Sequence, residues 1–183
     1  MALKFCAHCA TELVWQIESG RERPVCPQCG FVVYRNPAPV GLIVATQDDK
    51  VLLVHRVNPP LGGYWAPPTG YIEMDESIEE GTARETKEET GLDVAVDKLL
   101  GLYSRANVGV MIAAFAGRII GGAIAFDKKE VDAVQFFARD ELPRQSAPTT
   151  GKLIDLWFYE LVQEIFSALR AHGERVLKFS SGE

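Results

Sequence analysis

Residues Gly70 to Leu92 read GYIEMDESIEEGTARETKEETGL, and the reading of this stretch decides the fold. Ser77 and Glu80 form a capping box: the Ser hydroxyl can accept from the amide three residues on, while Glu80 reaches back. A helix starting there runs to about Thr90 and stops at Gly91, a residue suited to the left-handed backbone that ends helices. At about 100° per residue, Glu88 and Glu89 flank Glu85 within an arc of roughly 100°. Three carboxylates on one face repel one another. A hard divalent cation such as Mg²⁺ relieves that repulsion, because it seeks carboxylate oxygens and bridges them to phosphate. A solvated, charge-laced helix is the plainer alternative.

The spacing can be followed residue by residue. Gly70, five residues, Glu76, seven residues, Arg84-Glu85, two residues, Glu88-Glu89, one residue, Gly91-Leu92 resembles the Nudix box, the signature of the Nudix hydrolases. Thr86 departs from it, standing where the family usually has an aliphatic residue; its methyl can turn inward and its hydroxyl can bond a carbonyl one turn back. The resemblance implies an α/β/α sandwich around a mixed sheet, and hydrolysis of nucleoside diphosphates linked to another group with Mg²⁺ or Mn²⁺. It also implies that Glu85 and Glu89 are metal ligands and that Glu88 is a further ligand or the group that orients or deprotonates water. The Thr69 carbonyl matches a backbone ligand, Arg84 holds the carboxylates in place, and Glu76 supports them. Residues Lys129 to Phe137 resemble the family segment in which a Glu precedes a strand ending in an aromatic pair. That makes Glu130 a fourth acid facing the box, with Asp127 and Asp132 as alternatives.

All four cysteines lie in the first thirty residues, as Cys6-Ala7-His8-Cys9 and Cys26-Pro27-Gln28-Cys29. Two CxxC knuckles separated by sixteen residues have the spacing of a four-sulfur zinc site. So short a segment cannot build a sufficient core, and a metal supplies what packing cannot. Four protein ligands leave no open coordination position, so this Zn²⁺ is expected to be structural. His8, between two ligands, is expected to stay outside the ligand set. Disulfides are the alternative, disfavoured by the paired spacing and by an N-terminus without a secretory apolar region.

Composition bounds the rest. With 183 residues, 47% hydrophobic and 24% charged, the chain can hold one ordinary domain and a small appendage. No apolar run reaches the ~20 residues needed to span a bilayer, and a cytoplasmic protein is expected. The net charge of −6 makes a poor general nucleic-acid binder, and residues 1–35 carry a net of only +1. Val40–Ala45 and Val51–Arg56 read as strands joined by a hairpin at Gln47–Lys50. Leu92–Val96, Leu99–Arg105, Gly109–Ile119 and Val131–Ala138 read as further strands. Leu153, Leu156, Trp157, Leu161, Ile165, Ala168 and Leu169 recur at helical spacing, predicting a helix over roughly 150–171 whose stripe serves as core or dimer contact. The expected division is a zinc ribbon at 1–35, a Nudix domain at 36–172 and a flexible tail at 173–183.

A ribbon followed directly by a Nudix domain resembles the NADH pyrophosphatase family and the plant-type FAD and ADP-ribose pyrophosphatases. The NADH enzymes carry SQPWPFPxS shortly after the box. Here the corresponding residues, Tyr103 to Val110, read YSRANVGV, so strict NADH preference is not expected. The resemblance points to a broader pyrophosphatase giving AMP from ADP-ribose, FAD or related dinucleotides. Tyr103, Arg105 and Asn107 are the candidate substrate contacts, and a homodimer is the expected assembly. NADH hydrolysis, removal of a dinucleotide cap from RNA, and a nucleotide-sensing regulator that binds through its ribbon are the alternatives.

Overall fold

The computed structural model describes residues 3–171 and divides between Asn36 and Pro37 into two compact units. The tail expected at 173–183 lies outside the described residues. Among those residues no helix is long and apolar enough to cross a membrane.

In the first unit β1 (Val14–Glu18) and β2 (Arg21–Val25) form an antiparallel hairpin around Ser19-Gly20. Two knuckles of like construction flank it. The Cys6 and Cys26 amides donate to the Thr11 and Phe31 carbonyls, both at 2.8 Å. The Ala10 and Gly30 amides close back on the Cys6 and Cys26 carbonyls at 2.9 and 3.0 Å. So tight a closure needs left-handed backbone. Gly30 supplies it freely at φ 74°, whereas Ala10 holds φ 57° against its own Cβ.

The second unit is a mixed sheet between two helices. β3 (Ala38–Gln47) turns through Asp48-Asp49, both at positive φ, into β4 (Lys50–Arg56). Such a turn matches the twist of the flanking strands. β5 (Trp65–Ala66) and β6 (Thr69–Tyr71) follow, then α1 (Ile78–Thr90), β7 (Leu92–Ser104), β8 (Val110–Gly122), β9 (Val131–Phe137) and α2 (Leu153–Ala171). The main order is β5-β4-β3-β8-β7, with β3 and β8 parallel. β3 and β4 share a ladder only beside their turn, at Thr46↔Val51 and Gln47↔Lys50. Beyond it β6 takes the open edge of β3 and β9 takes that of β4, so the sheet parts where the box begins.

Alternation along β3 explains the two layers. Leu42 and Val44 face α2 with Val51, Leu53, Ile112 and Ala114, against Phe158, Val162, Ile165 and Phe166. Ile43 and Ala45 face α1 with Leu52, Ala113 and Phe115, against Ile78 and Ala83. A strand covered on both faces reads as an unbroken apolar run, as VGLIVA does.

Two expectations change. Leu92–Val96 and Leu99–Arg105 are one strand, β7, because irregularities at Asp93/Val94, Val96/Lys98 and Leu99/Gly101 absorb the polar Asp97-Lys98 step without breaking its pairing with β8. α2 starts at Leu153, since the Thr150 hydroxyl bonds the Asp155 carboxylate (2.6 Å) and keeps 150–152 outside the helix.

Candidate active site

α1 begins with the anticipated box: Glu80 N–H donates to Ser77 Oγ (3.2 Å) and Ser77 N–H to Glu80 Oε2 (2.8 Å). Gly91 ends it in left-handed backbone. Its buried side is a ladder of threonines. Thr82, Thr86 and Thr90 each donate a hydroxyl to the carbonyl four residues back, at 2.6, 2.7 and 2.6 Å. Thr86 therefore buries its polar atom with a partner, which is how the departure from an aliphatic residue is tolerated.

The helix lies very close to the sheet because its floor is a glycine pair. Gly41 and Gly70 oppose each other across β3 and β6. A Cβ on Gly41 would overlap the Thr82 hydroxyl, and one on Gly70 would overlap the Glu85 carboxyl. Gly41 interrupts an apolar strand, the mark of a close backbone approach.

Arg84 organises the acids. Its Nε and Nη2 take the two oxygens of Glu76 at 2.9 and 2.7 Å, and Nη2 also reaches the Tyr71 carbonyl at 2.9 Å. Nη1 bridges Glu85 (2.9 Å) and Glu88 (3.2 Å). This fork, with the Glu73 amide, holds the Glu76 carboxyl down at about 2 and pushes the guanidinium pKa upward.

Glu89 is only 6% exposed. Its Oε1 accepts from Arg56 Nη1 (3.3 Å) and its Oε2 from the Thr69 amide (3.0 Å). Burial outweighs both partners and, with Glu85 and Glu130 nearby, carries its pKa up to about 7. Burial also raises Glu85, despite Arg84. The β3–β6 register pairs Ile43 with Pro68 and Gly41 with Gly70 by hydrogen bonds, so Thr69 between them turns both its N–H and its C=O away from β3.

These groups border a cavity of about 310 Å³ that Thr69, Glu85, Glu89 and Glu130 help to line. Glu130 comes from the turn before β9, where the Asp127 carbonyl takes the Glu130 and Val131 amides at 3.1 and 3.2 Å. Asp127 thus shapes the loop that presents Glu130, and Asp132 pairs with His55. Glu88 stands at the rim, its side chain 55% exposed, and does not line the cavity.

Tyr103, Arg105 and Asn107 are not brought there. Tyr103 packs against the α2-side core, Arg105 pairs with Glu160 (2.9 Å), and Asn107 occupies a left-handed turn position. The lining residues that sequence reading missed include Arg56 and, on α2, Ile154, Trp157 and Phe158. Of the stripe read from sequence, Leu161, Ile165 and Leu169 are core, Trp157 borders both core and cavity, and Leu153 and Leu156 are exposed. Arg56 was signalled by a cation ending an apolar strand.

In the first unit the four sulfurs lie within 4.8 Å of one another. Neighbouring pairs sit at 3.4 to 3.6 Å, too far for a disulfide and near the ~3.8 Å edge of a tetrahedron with 2.3 Å zinc–sulfur bonds. The His8 and Cys29 amides point at the Cys6 and Cys26 sulfurs (3.4 and 3.5 Å), while the His8 ring packs on Phe31 and stays outside the ligand cluster. The thiolate set fits a structural zinc.

A box helix on a glycine floor, a facing acidic loop and a four-thiolate ribbon define an enzyme architecture of the Nudix type. The chain belongs to the Nudix family: residues 35–157 match the NUDIX domain and residues 4–35 the Nudix N-terminal zinc ribbon. The NAD-capped RNA hydrolase NudC of Pseudomonas aeruginosa is 30% identical over 156 residues, 84% of this chain and 55% of that protein. The chain thus spans about half the length of that relative. The ADP-ribose pyrophosphatase of Methanocaldococcus jannaschii is 37% identical over 120 residues, 62% of this chain and 69% of that protein. The crystal structure of a NUDIX hydrolase from Nitrosomonas europaea has a TM-score of 0.68 at 30% identity, covering 77% of this chain and 81% of that one. Enzymes of this family work with a divalent metal, and the oxygen-only set of Glu85, Glu89, Glu130 and the Thr69 carbonyl fits a hard cation such as Mg²⁺ or Mn²⁺.

Proposed function

We propose that this protein hydrolyses the pyrophosphate bond of nucleoside diphosphate derivatives, ADP-ribose, FAD and related dinucleotides, giving AMP and a phosphorylated remainder. One observation carries the reading: acids from α1 and from the loop before β9 converge on a single cavity, close enough that Glu130 raises the pKa of both Glu85 and Glu89. So much negative charge facing a phosphate site is unfavourable without a cation.

Glu85, Glu89, Glu130 and the Thr69 carbonyl would hold the divalent metal. Bound there, the metal supplies the positive charge a pyrophosphate needs and lowers the pKa of attacking water. Arg84 fixes the rotamers of Glu85 and Glu88 and acts as a positioning residue. Arg56 is the only cationic side chain among the described lining residues, and it steadies Glu89 beside the phosphates. Glu88, at the wet rim, is placed either to complete the ligand set or to orient and deprotonate water.

The names of two relatives, an ADP-ribose pyrophosphatase and an NAD-capped RNA hydrolase, support substrates in which a nucleoside diphosphate is joined to a second group. The chain's net charge of −6 favours free nucleotides over RNA. A cytoplasmic homodimer, with a ribbon at 1–35 and a hydrolase domain at 36–172, completes the proposal. The test is a panel of ADP-ribose, FAD and NADH, with Mg²⁺ or Mn²⁺ and with neither, and products identified by chromatography. AMP should appear only with metal. Inactivity of the wild type on every member would sink the reading.

A further inference from the structure

The loop over residues 57–63, between β4 and β5, is bonded to both acidic arms of the cavity. On one side the Arg56 guanidinium, at the end of β4, joins the Glu89 carboxylate (3.3 Å) to the Pro60 carbonyl (2.9 Å). On the other, the Val57 amide donates to the Glu130 carbonyl (2.9 Å) and the Asn58 side-chain amide to the Lys129 carbonyl (2.8 Å). Two successive carbonyls of the turn that carries Glu130 are thus held from outside that turn, one by backbone and one by a side chain. The loop is a firm support. Its ends are tied by Arg56 N–H to the Tyr64 carbonyl (2.9 Å) and Gly63 N–H to the Arg56 carbonyl (2.6 Å). Leu61 holds left-handed backbone at φ 60°, fixed by a side chain that is only 2% exposed in the core.

Glu130 needs such a hold. It shares the cavity with Glu85 and Glu89, and in the metal-free protein like-charge repulsion works to move its turn away from α1. The Asp127 carbonyl and carboxylate take the amides of residues 129–131, which shapes the turn without fixing where it sits over the acids. We propose that Asn58 is a positioning residue for the divalent cation: by gripping the Lys129 carbonyl it keeps Glu130 facing the acids of α1, so cation affinity depends on a side chain that is not a ligand. The inference rests on the cation site of the hydrolytic reading above and extends that site to loop 57–63. Partners that orient a metal ligand typically carry 10–100-fold in affinity, and the Val57 bond survives substitution at 58, so the low end of that range applies.

The test is Mn²⁺ binding by the full chain, with its zinc retained and no nucleotide, read from the paramagnetic resonance of free Mn²⁺. Wild type, Asn58→Ala, Glu130→Gln and the double variant are compared. Asn58→Ala should weaken Mn²⁺ binding by about tenfold and Glu130→Gln by at least as much. The double variant should match Glu130→Gln within about twofold, because Asn58 acts only through Glu130. Asn58 lines the cavity, and direct ligation by its carbonyl, or a general structural role, would add its loss to that of Glu130→Gln and overturn the proposal. Wild-type affinity in Asn58→Ala would overturn it equally. Asn58 is exposed, so the variant should keep the wild-type urea midpoint; Asn58→Ser, too short to reach the Lys129 carbonyl, should repeat its effect. Hydrolysis of ADP-ribose, FAD and NADH is scored separately. The coupled loss of affinity in a protein that hydrolyses none of them supports the role of Asn58 and overturns the hydrolytic reading. Metal-dependent hydrolysis with unchanged Mn²⁺ affinity in Asn58→Ala does the reverse, and a wild type that neither binds Mn²⁺ nor hydrolyses any of them overturns both.

Discussion

Glu89 in the metal-free protein provides a test that needs no substrate. Its folded pKa of about 7 lies above the unfolded value of 4.5, because burial penalises the charged form more than Arg56 and Thr69 N–H reward it. Between those values the folded state holds a proton that the unfolded state has released, so stability falls as pH rises. The contribution is fully present below pH 4.5 and lost as pH passes through about 7. At about 1.4 kcal/mol per pH unit, the whole loss comes to about 3 kcal/mol. Glu89→Gln cannot ionise, and its amide still offers Arg56 an acceptor. Urea denaturation of wild type and variant, in buffer stripped of divalent cations, should show their stability difference moving in favour of the variant by about 3 kcal/mol between pH 5 and 8. Added Mg²⁺ should stabilise the wild type at pH 8 much more than the variant. A difference constant with pH would refute a desolvated carboxylate at this position.

Three further outcomes follow from the geometry. Gly70→Ala places a methyl where the Glu85 carboxyl sits, so it should cost about 1–3 kcal/mol in thermal stability and, by displacing a ligand, roughly 100-fold in kcat. Glu76→Gln loosens the Arg84 fork without touching the cavity; Mg²⁺ affinity measured from activity titrations should weaken by about 10–100-fold. Cys26→Ser should abolish the single zinc per chain measured by atomic emission, since three thiolates do not close a tetrahedral site of this kind.

Local chemistry made much of this legible in the sequence. Ser77, Glu80 and Gly91 fix the ends of α1 through bonds within a few residues, and the knuckles are set by spacing alone. Sequence reading reaches less far where long-range pairing decides. Nothing near Asp97-Lys98 reveals that β8 runs alongside and carries the strand through a bulge. Tyr103, Arg105 and Asn107 read as substrate contacts by their place after the box; none of the three lines the cavity, although Tyr103 pairs with the lining residue Ile112, and Arg105 is held by Glu160. Arg56 and Trp157 lie 33 and 68 residues from Glu89 in sequence and meet the site only through the parting of β3 from β4 and the packing of α2. Thr86 shows a mismatch absorbed: a hydroxyl in an apolar position, satisfied by the helix's own carbonyl.

The central claim is that the acids of α1 and Glu130 act together on one phosphate-bearing substrate. Release of AMP from ADP-ribose, followed against Mg²⁺ concentration for wild type, Glu85→Gln and Glu130→Gln, tests it most directly. The account predicts strictly metal-dependent AMP release by the wild type, a rate lower by about 100-fold or more for Glu85→Gln, and a raised Mg²⁺ requirement for Glu130→Gln. Wild-type rates from both variants at the same Mg²⁺, or AMP release that persists without a divalent cation, would contradict it.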